Sequence, residues 1–306
     1  MFDLAIIGGG PAGAAAGVYA SRKHLKTIFI TKEWGGQSVV SPEIQNWIGD
    51  ITLSGNDLAK KLKEHVLAYT DSFITVAENE YAIKIEKVES GFSVLTNKNT
   101  YGAKTVLVVA GAHRRKLEVP GAAEFDQKGL TYCASCDGPL FSGMDTAVIG
   151  GGNAAFETAA QLLAYARSVT ILHHSSEFKA DPVTINKILA NPKMKALTNA
   201  ETLEIKGDTF VTGLVYKDKL TQENHELAVS GVFVEIGLVP NSDFVKDIVK
   251  LDSYGRIVTD PRTQATSAVG IWAAGDITDS LYHQNNISAG DAIKAIEDIY
   301  VHLHVR

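Results

Sequence analysis

The sequence predicts an α/β fold of two domains, the second inserted into a discontinuous first. Two observations carry this. A strand–glycine turn–helix–strand pattern occurs twice, and a strand and helix near the C-terminal end lead back to the first copy. The first copy is Leu4-Ala5-Ile6-Ile7-Gly8-Gly9-Gly10-Pro11-Ala12-Gly13, followed by a small-residue helix through Ala14–Ala20 and an apolar strand at Thr27–Ile30. The second is Thr146-Ala147-Val148-Ile149-Gly150-Gly151-Gly152-Asn153-Ala154-Ala155, followed by a helix through Phe156–Ala166 and a strand at Val169–Leu172.

The same physical logic applies to each copy. The first glycine, Gly8 or Gly150, permits a tight turn, and the second, Gly10 or Gly152, lets the backbone approach a pyrophosphate. The third small residue, Gly13 or Ala155, lets helix and strand pack closely. An anion then sits on the helix N-terminus, where unpaired N–H groups and the dipole favour negative charge. One such turn often serves structure alone. Two in register, each followed by a strand, predict two Rossmann-like dinucleotide-binding domains.

Between the copies, Phe73–Val88 and Phe92–Thr96 read as short antiparallel strands, and Thr105–Ala110 as a buried strand ending in Gly111. After the second copy, Phe210–Tyr216 and Gly231–Ile236 supply further strands. The tail reads as a strand at Ile271–Ala273, a Gly275-Asp276 turn and a helix from about Ala289. The expected domains are 1–113 with 243–306, and 114–242.

Composition narrows the function. The chain has 306 residues, 45% hydrophobic and 21% charged, enough for two ordinary cores. A net charge of −6 without a dense Lys/Arg cluster argues against nucleic acid as a partner. No apolar run approaches a membrane span, and Asp3 leads straight into a strand without a basic leader, so a cytoplasmic location is expected. The two cysteines stand three apart, and the nine histidines show no metal-ligand spacing. A redox pair is therefore expected, and no metal.

Tyr132-Cys133-Ala134-Ser135-Cys136-Asp137-Gly138 lies just ahead of the second glycine turn. With Gly35-Gly36-Gln37, Asn46-Trp47 and Ala274-Gly275-Asp276, it resembles the low-molecular-weight thioredoxin reductases along the whole chain. The stretches Val119-Pro120-Gly121, Pro139-Leu140-Phe141, Phe178-Lys179-Ala180-Asp181 and Gly237-Leu238-Val239-Pro240-Asn241 are most similar to one branch. That branch is the flavoprotein component of alkyl hydroperoxide reductase, whose members carry a thioredoxin-fold module ahead of the flavin domain. In the larger disulfide reductases the redox pair follows the first glycine helix, whereas Gly35–Pro42 here contains no cysteine.

The resemblance implies FAD in the first domain, held at Gly8, Gly10, Pro11, Ala12 and Gly13, with Gly35, Gly36, Gln37, Asn46, Ala110 and Gly111 nearby. Gly275 and Asp276 stand at the ribityl position. His283, Gln284 and Asn285 occupy the place where the family has a basic residue, then Gln, then Ala or Ile, so His283 and Asn285 are departures. Glu33 reads as a solvated loop charge in preference to a ribose contact. Cys136 is implied to face the flavin and Cys133 to attack an external disulfide. Asp137 is either the proton donor and acceptor for the thiolates or a first-turn helix carboxylate. The family alternates its two substrates at the flavin by rotating the second domain, with Gly111–Arg115 and Gly237–Ser242 as candidate hinges.

The nicotinamide site is implied at Gly150, Gly152, Asn153, Ala154 and Ala155, with His173, His174 and Lys179 beyond the next strand. NADPH-specific relatives place paired arginines there, followed by a third. This chain has His174 and Ser175 at the paired positions and Lys179 at the third. Without guanidinium forks a 2′-phosphate loses bidentate contacts, which favours NADH or a weak NADPH preference. No acidic residue marks the ribose either.

The function these features imply is an NAD(P)H-dependent, FAD-containing thioredoxin-disulfide reductase, a homodimer acting on a separate thioredoxin or glutaredoxin-like carrier. A peroxiredoxin could stand downstream of that carrier. The alternatives are a related flavoprotein fed by ferredoxin or another donor, and a flavin- and disulfide-bearing redox sensor without turnover.

Overall fold

The computed structural model of the protein describes residues 1–41, 43–70 and 73–305. The chain packs as two compact units, Met1–His113 with Val239–Arg306, and Arg114–Leu238. The return to the first unit comes at Val239, ahead of the expected residue 243. Asn241 already bonds there, its side-chain amide donating to the Ala110 carbonyl (2.8 Å) and its N–H to that of Gly111 (3.0 Å).

The first unit begins with β1 (Phe2–Gly9), α1 (Pro11–Arg22), β2 (Thr27–Trp34), α2 (Gly55–Leu67) and β3 (Ile74–Glu78). It continues through β4 (Ala82–Val88), β5 (Gly91–Thr96) and β6 (Thr100–Val108) to the crossing strand β7 (Ala112–Arg114). The second unit opens with β8 (Leu130–Thr131), α3 (Ala134–Asp137), β9 (Asp145–Ile149), α4 (Asn153–Leu162) and β10 (Ser168–Leu172). It then runs through α5 (Pro182–Leu189), β11 (Met194–Leu197), β12 (Ala200–Gly207), β13 (Val211–Asp218), β14 (Asn224–Ala228) and β15 (Gly231–Val234). The chain returns through β16 (Leu238–Pro240) to β17 (Ile271–Ala273) and α6 (Asn285–His304).

In the first unit β3, β2, β1 and β6 form a parallel sheet in that order, and β17 adds to it in parallel beside β6. The sheet is covered on both faces, so β1 is apolar and buried without a break from Leu4 to Ile7 rather than alternating. Leu4 and Ile6 face the alanines of α1 and α6, and Ala5 and Ile7 join Ile28, Val106 and Ile257 on the other side.

Two sequence expectations change here. The stretch read as antiparallel from Phe73 splits into β3, parallel to β2, and β4, antiparallel to β5. A parallel neighbour needs a crossover, and α2 supplies it. That helix escaped the sequence reading, although Ser54 caps its start by accepting the Asp57 N–H and Leu58, Ala59 and Val66 bury its inner side. The last helix also starts earlier, at Asn285 instead of Ala289.

The second unit carries a five-stranded parallel sheet in the order β11-β10-β9-β15-β8 and a three-stranded antiparallel sheet, β12-β13-β14. In both units the glycine turn leaves the carboxyl end of a central parallel strand. Among the described residues no helix is long and apolar enough to cross a membrane.

Candidate functional site

Strand β1 ends in the first glycine turn, and α1 starts directly after it with Pro11 at its first position. Gly10 caps that helix without a side-chain bond, which leaves amide donors of the first turn unpaired. A Cβ on Gly8 would collide with the Val109 carbonyl, and one on Gly13 with the Gly8 carbonyl. A Cβ on Gly10 would meet only Gly36 Cα, at 4.0 Å. Gly8 and Gly13 therefore let strand and helix pack, while Gly10 keeps the turn open.

That open turn borders a cavity of about 800 Å³ within the first unit. Gly8, Gly10, Pro11 and Ala12 line one side, and Gly36 and Gln37 a second. Ala110 and Gly111 from the end of β6 and Gly275, Asp276 and Asn285 from the C-terminal segment complete it. Glu33, expected as a solvated loop charge, is exposed but stands near the end of β2 and lines the cavity.

Five residues expected at this site lie outside the lining. Gly13 is the packing glycine already described, and Gly35 packs against Ala59 of α2 with a left-handed φ of 83°. Asn46 donates to Gln284 Oε1 (3.2 Å), tying its loop to the start of α6. His283 Nδ1 stands 3.5 Å from Asp276 Oδ1. Two lining serines were missed. Ser288 donates to Asp276 Oδ1 (3.2 Å) and Ser38 to Asn285 Oδ1 (3.0 Å), and only the helical spacing from Asn285 to Ser288 could have signalled either.

The second turn repeats the arrangement. Gly150 has φ 155° and its Cβ would collide with the Glu235 carbonyl, while nothing lies within 4 Å of a Cβ on Gly152. Ala155 is fully buried, whereas Asn153 and Ala154 are exposed on the first turn of α4. The segment after β10 folds back over this turn. Lys179 N–H donates to the Gly151 carbonyl (2.7 Å) and Asp181 N–H to Asn153 Oδ1 (2.8 Å).

His173 lies beneath that segment, 5% exposed and stacked on Phe178 at 5.6 Å. Neither of its ring nitrogens has a hydrogen bond of good geometry, although the Glu177 backbone is near. Burial, reinforced by His174 and Lys179, lowers its proton affinity and keeps the ring neutral. His174 and Lys179 themselves are exposed.

Cys133 and Cys136 are joined as a disulfide, their Cα atoms 5.4 Å apart. Cys133 caps the single turn α3, which ends at Asp137. Asp137 is 7% exposed and accepts the hydroxyl of Thr131 at the end of β8. Burial pushes its carboxyl above the usual carboxylate range, against the opposing pull of the Thr131 bond and the Arg114 charge. The disulfide thus has a buried carboxyl directly after its second cysteine, at the end of the same helical turn.

The model of the pyridine nucleotide-disulphide oxidoreductase family matches residues 2–295. The chain belongs to that family. Its relatives include a protein named NADH dehydrogenase from Bacillus subtilis (strain 168), 41% identical over 96% of this chain and 57% of that one. Another is the F component of alkyl hydroperoxide reductase from Pseudomonas putida, 40% identical over 99% of this chain and 58% of that one. The chain therefore spans little more than half the length of these relatives. The crystal structure of thioredoxin reductase from Streptococcus pyogenes MGAS5005 superposes with a TM-score of 0.89 at 33% identity, over 100% of this chain and 99% of that one. Thioredoxin reductase from Giardia duodenalis gives 0.91 at 29%, over 99% and 98%.

The pyridine nucleotide-disulphide oxidoreductases bind FAD and NAD(P)H. Both glycine turns fit such dinucleotides. Each has one glycine whose missing Cβ leaves open space at a helix start, and the first faces a cavity large enough for a cofactor.

Proposed function

We propose that the chain is a nicotinamide-dependent flavoenzyme that reduces the disulfide of a separate thioredoxin- or glutaredoxin-like carrier. The observation that carries this reading is the Cys133–Cys136 disulfide with buried Asp137 beside it, in the same unit as the second glycine turn. In this reading FAD would be held by Gly10, Gly36, Asp276 and Asn285, and when bound would supply the two-electron relay between nicotinamide and disulfide.

The chain's own steps follow from thiol chemistry. Once the pair is reduced, the Cys133 thiolate attacks the carrier disulfide, forming a mixed disulfide and releasing one carrier thiolate. Cys136 then attacks Sγ of Cys133, re-forming the internal disulfide and releasing the second carrier thiolate. Asp137, whose hold on a proton burial strengthens, donates a proton to a departing thiolate and is left as the carboxylate.

The donor in this reading is NADH. A buried, neutral His173, an exposed His174 and a half-buried Ser175 cannot form the guanidinium fork that a 2′-phosphate rewards. The name NADH dehydrogenase, borne by the Bacillus relative, supports the same choice. A second reading follows from the alkyl hydroperoxide reductase relatives, in which the carrier passes its electrons to a peroxiredoxin.

The test is anaerobic mixing of the flavin-loaded protein with NADH and NADPH, followed by turnover on thioredoxin. Rapid flavin bleaching and turnover that disappears in Cys136→Ser support the reductase. A Cys136→Ser variant that reduces the carrier at full speed overturns it.

A further inference from the structure

One hydroxyl spans the redox turn from its first residue to its last. Strand β8 is the edge of the five-stranded sheet, and Thr131 pairs in register with Phe233 of β15. Alternation along the chain buries Leu130 and Tyr132 in one core with Val232 and Val234, and turns Thr131 to the opposite face. Phe233 lies on that face too, in the core that holds Ala134 of α3 and Phe156 of α4. Thr131, 3% exposed, accepts the Cys133 N–H (3.3 Å) and donates its hydroxyl hydrogen to Asp137 Oδ2. Asp137 closes the same turn through its backbone, its N–H donating to the Cys133 carbonyl (3.0 Å).

A hydroxyl has a single hydrogen, so this one cannot serve another acceptor without releasing Asp137. The branched side chain of threonine also narrows its choice of rotamer. Oδ2 is thereby committed to Thr131, while Oδ1 carries no hydrogen bond among the described residues. The other groups around the carboxyl are few. Arg114, whose charge also favours the carboxylate, is itself paired with Glu235 at 3.3 Å. Helix α4 brings Glu157 and Gln161, and Gln161 accepts the Ser135 hydroxyl (2.9 Å). Tyr132 faces the Lys116 ammonium, 4.3 Å from its ring centroid, and the segment Gly138–Phe141 carries no charge.

We propose that Thr131 is a positioning residue whose hydroxyl fixes the Asp137 carboxyl, so that Oδ1 is the oxygen that carries the proton and presents it to a departing thiolate. This rests on the proton-transfer role of Asp137. The Cys133 thiolate attacks one sulfur of the external disulfide; a Cys133–sulfur bond forms and the external sulfur–sulfur bond breaks. The leaving thiolate takes its proton from Oδ1, and the carboxylate left behind keeps the Thr131 hydrogen bond on Oδ2, which stabilises it. The two electrons come from the cysteine pair, which ends as the Cys133–Cys136 disulfide. An alkyl disulfide, whose thiolate leaves poorly without a proton, gains from this arrangement. A disulfide whose thiolate is stable as the anion gains little.

The test uses the full chain with its flavin, reduced by dithiothreitol and freed of it anaerobically. The cysteine pair is then oxidised by bis(2-hydroxyethyl) disulfide, which releases an alkyl thiolate, or by 5,5′-dithiobis(2-nitrobenzoate), which releases a stable aromatic one. The readout is the ratio of the two rates, so an effect on access common to both probes cancels. Thr131→Val should lower the alkyl-to-aromatic ratio about tenfold or more. Thr131→Ser, which keeps the hydroxyl, should hold it within about threefold of the unaltered protein. Asp137→Asn should lower it at least as far as Thr131→Val. An unchanged ratio in Thr131→Val, or an equally low one in Thr131→Ser, while Asp137→Asn still lowers it, overturns the role of Thr131 alone. An unchanged ratio in Asp137→Asn overturns the proton role and this inference together.

Discussion

His173 fills the space above Gly151 that any side chain there would need, so the imidazole and the absent Cβ are complementary. Its neighbour Gly152 is the opposite case, with open space where its Cβ would stand and an ordinary extended backbone at φ −96°. The two alanine variants should therefore separate folding from binding. Gly151→Ala must displace the His173–Phe178 stack and should lower stability by about 1–3 kcal/mol, read as a fall in Tm. Gly152→Ala should keep its Tm and weaken NADH binding at least tenfold in calorimetric titration, because the new methyl stands where a pyrophosphate would approach. Unchanged binding in Gly152→Ala would remove the case for that turn as the nicotinamide site.

Restoring arginines should restore a phosphate clamp. The double variant His174→Arg, Ser175→Arg places two guanidinium groups beside the second turn and should raise kcat/KM for NADPH at least tenfold, with little change for NADH. The unaltered protein should use NADH at least as well as NADPH. A hundredfold preference for NADPH by kcat/KM contradicts this.

Asp137 should cost the fold stability near neutral pH. Its folded-state proton affinity is raised by burial, so relative to the unfolded chain its contribution is fully present below the unfolded carboxyl value and is lost as pH rises through the folded one. Asp137→Asn removes that penalty, and its amide oxygen can still accept the Thr131 hydroxyl. The variant should melt about 2 °C higher at pH 8, with the gain shrinking as the pH falls towards 4, while turnover on the carrier drops. Matched melting curves of the two proteins across that range check the sign.

Asn285 is a departure from the family pattern that the cavity uses. Ser38 donates to its side chain, tying the first turn of α6 to the segment Gly36–Val40, whose Gly36, Gln37 and Ser38 also line the cavity. Asn285→Ala should weaken FAD retention about three- to tenfold, the worth of one ordinary hydrogen bond. Recovery of flavin fluorescence on dilution measures it.

The parts of this molecule legible in the sequence are those whose constraints are local. A strand that ends in Gly8–Gly10 and restarts as a helix at Pro11 states its geometry within a few residues, and so does Cys133-Ala134-Ser135-Cys136. The direction of β3 depended on recognising α2, whose buried stripe of Leu58, Ala59 and Val66 is interrupted by Lys60, Lys61, Lys63 and Glu64. Ser38 and Asn285 are 247 positions apart, and Arg114 and Glu235 are 121 apart, so nothing in either neighbourhood announces the contact. Asn46 and His283 are the converse case. Both match the family's flavin positions, and in the structure the Asn46 side chain donates to Gln284, His283 stands near Asp276, and neither is among the residues lining the cavity.

The first unit draws its sheet and its cavity from both ends of the chain. Strand β17 and the residues Gly275, Asp276 and Asn285 arrive only after every strand of the second unit has been made. During ribosomal synthesis the contiguous unit 114–238 has all its partners in hand while the earlier sheet still waits for one of its own. The cavity wall is likewise unfinished until nearly the whole chain has emerged. A ribosome stalled before residue 271 would hold a nascent chain unable to complete this cavity, so any cofactor it takes is captured late.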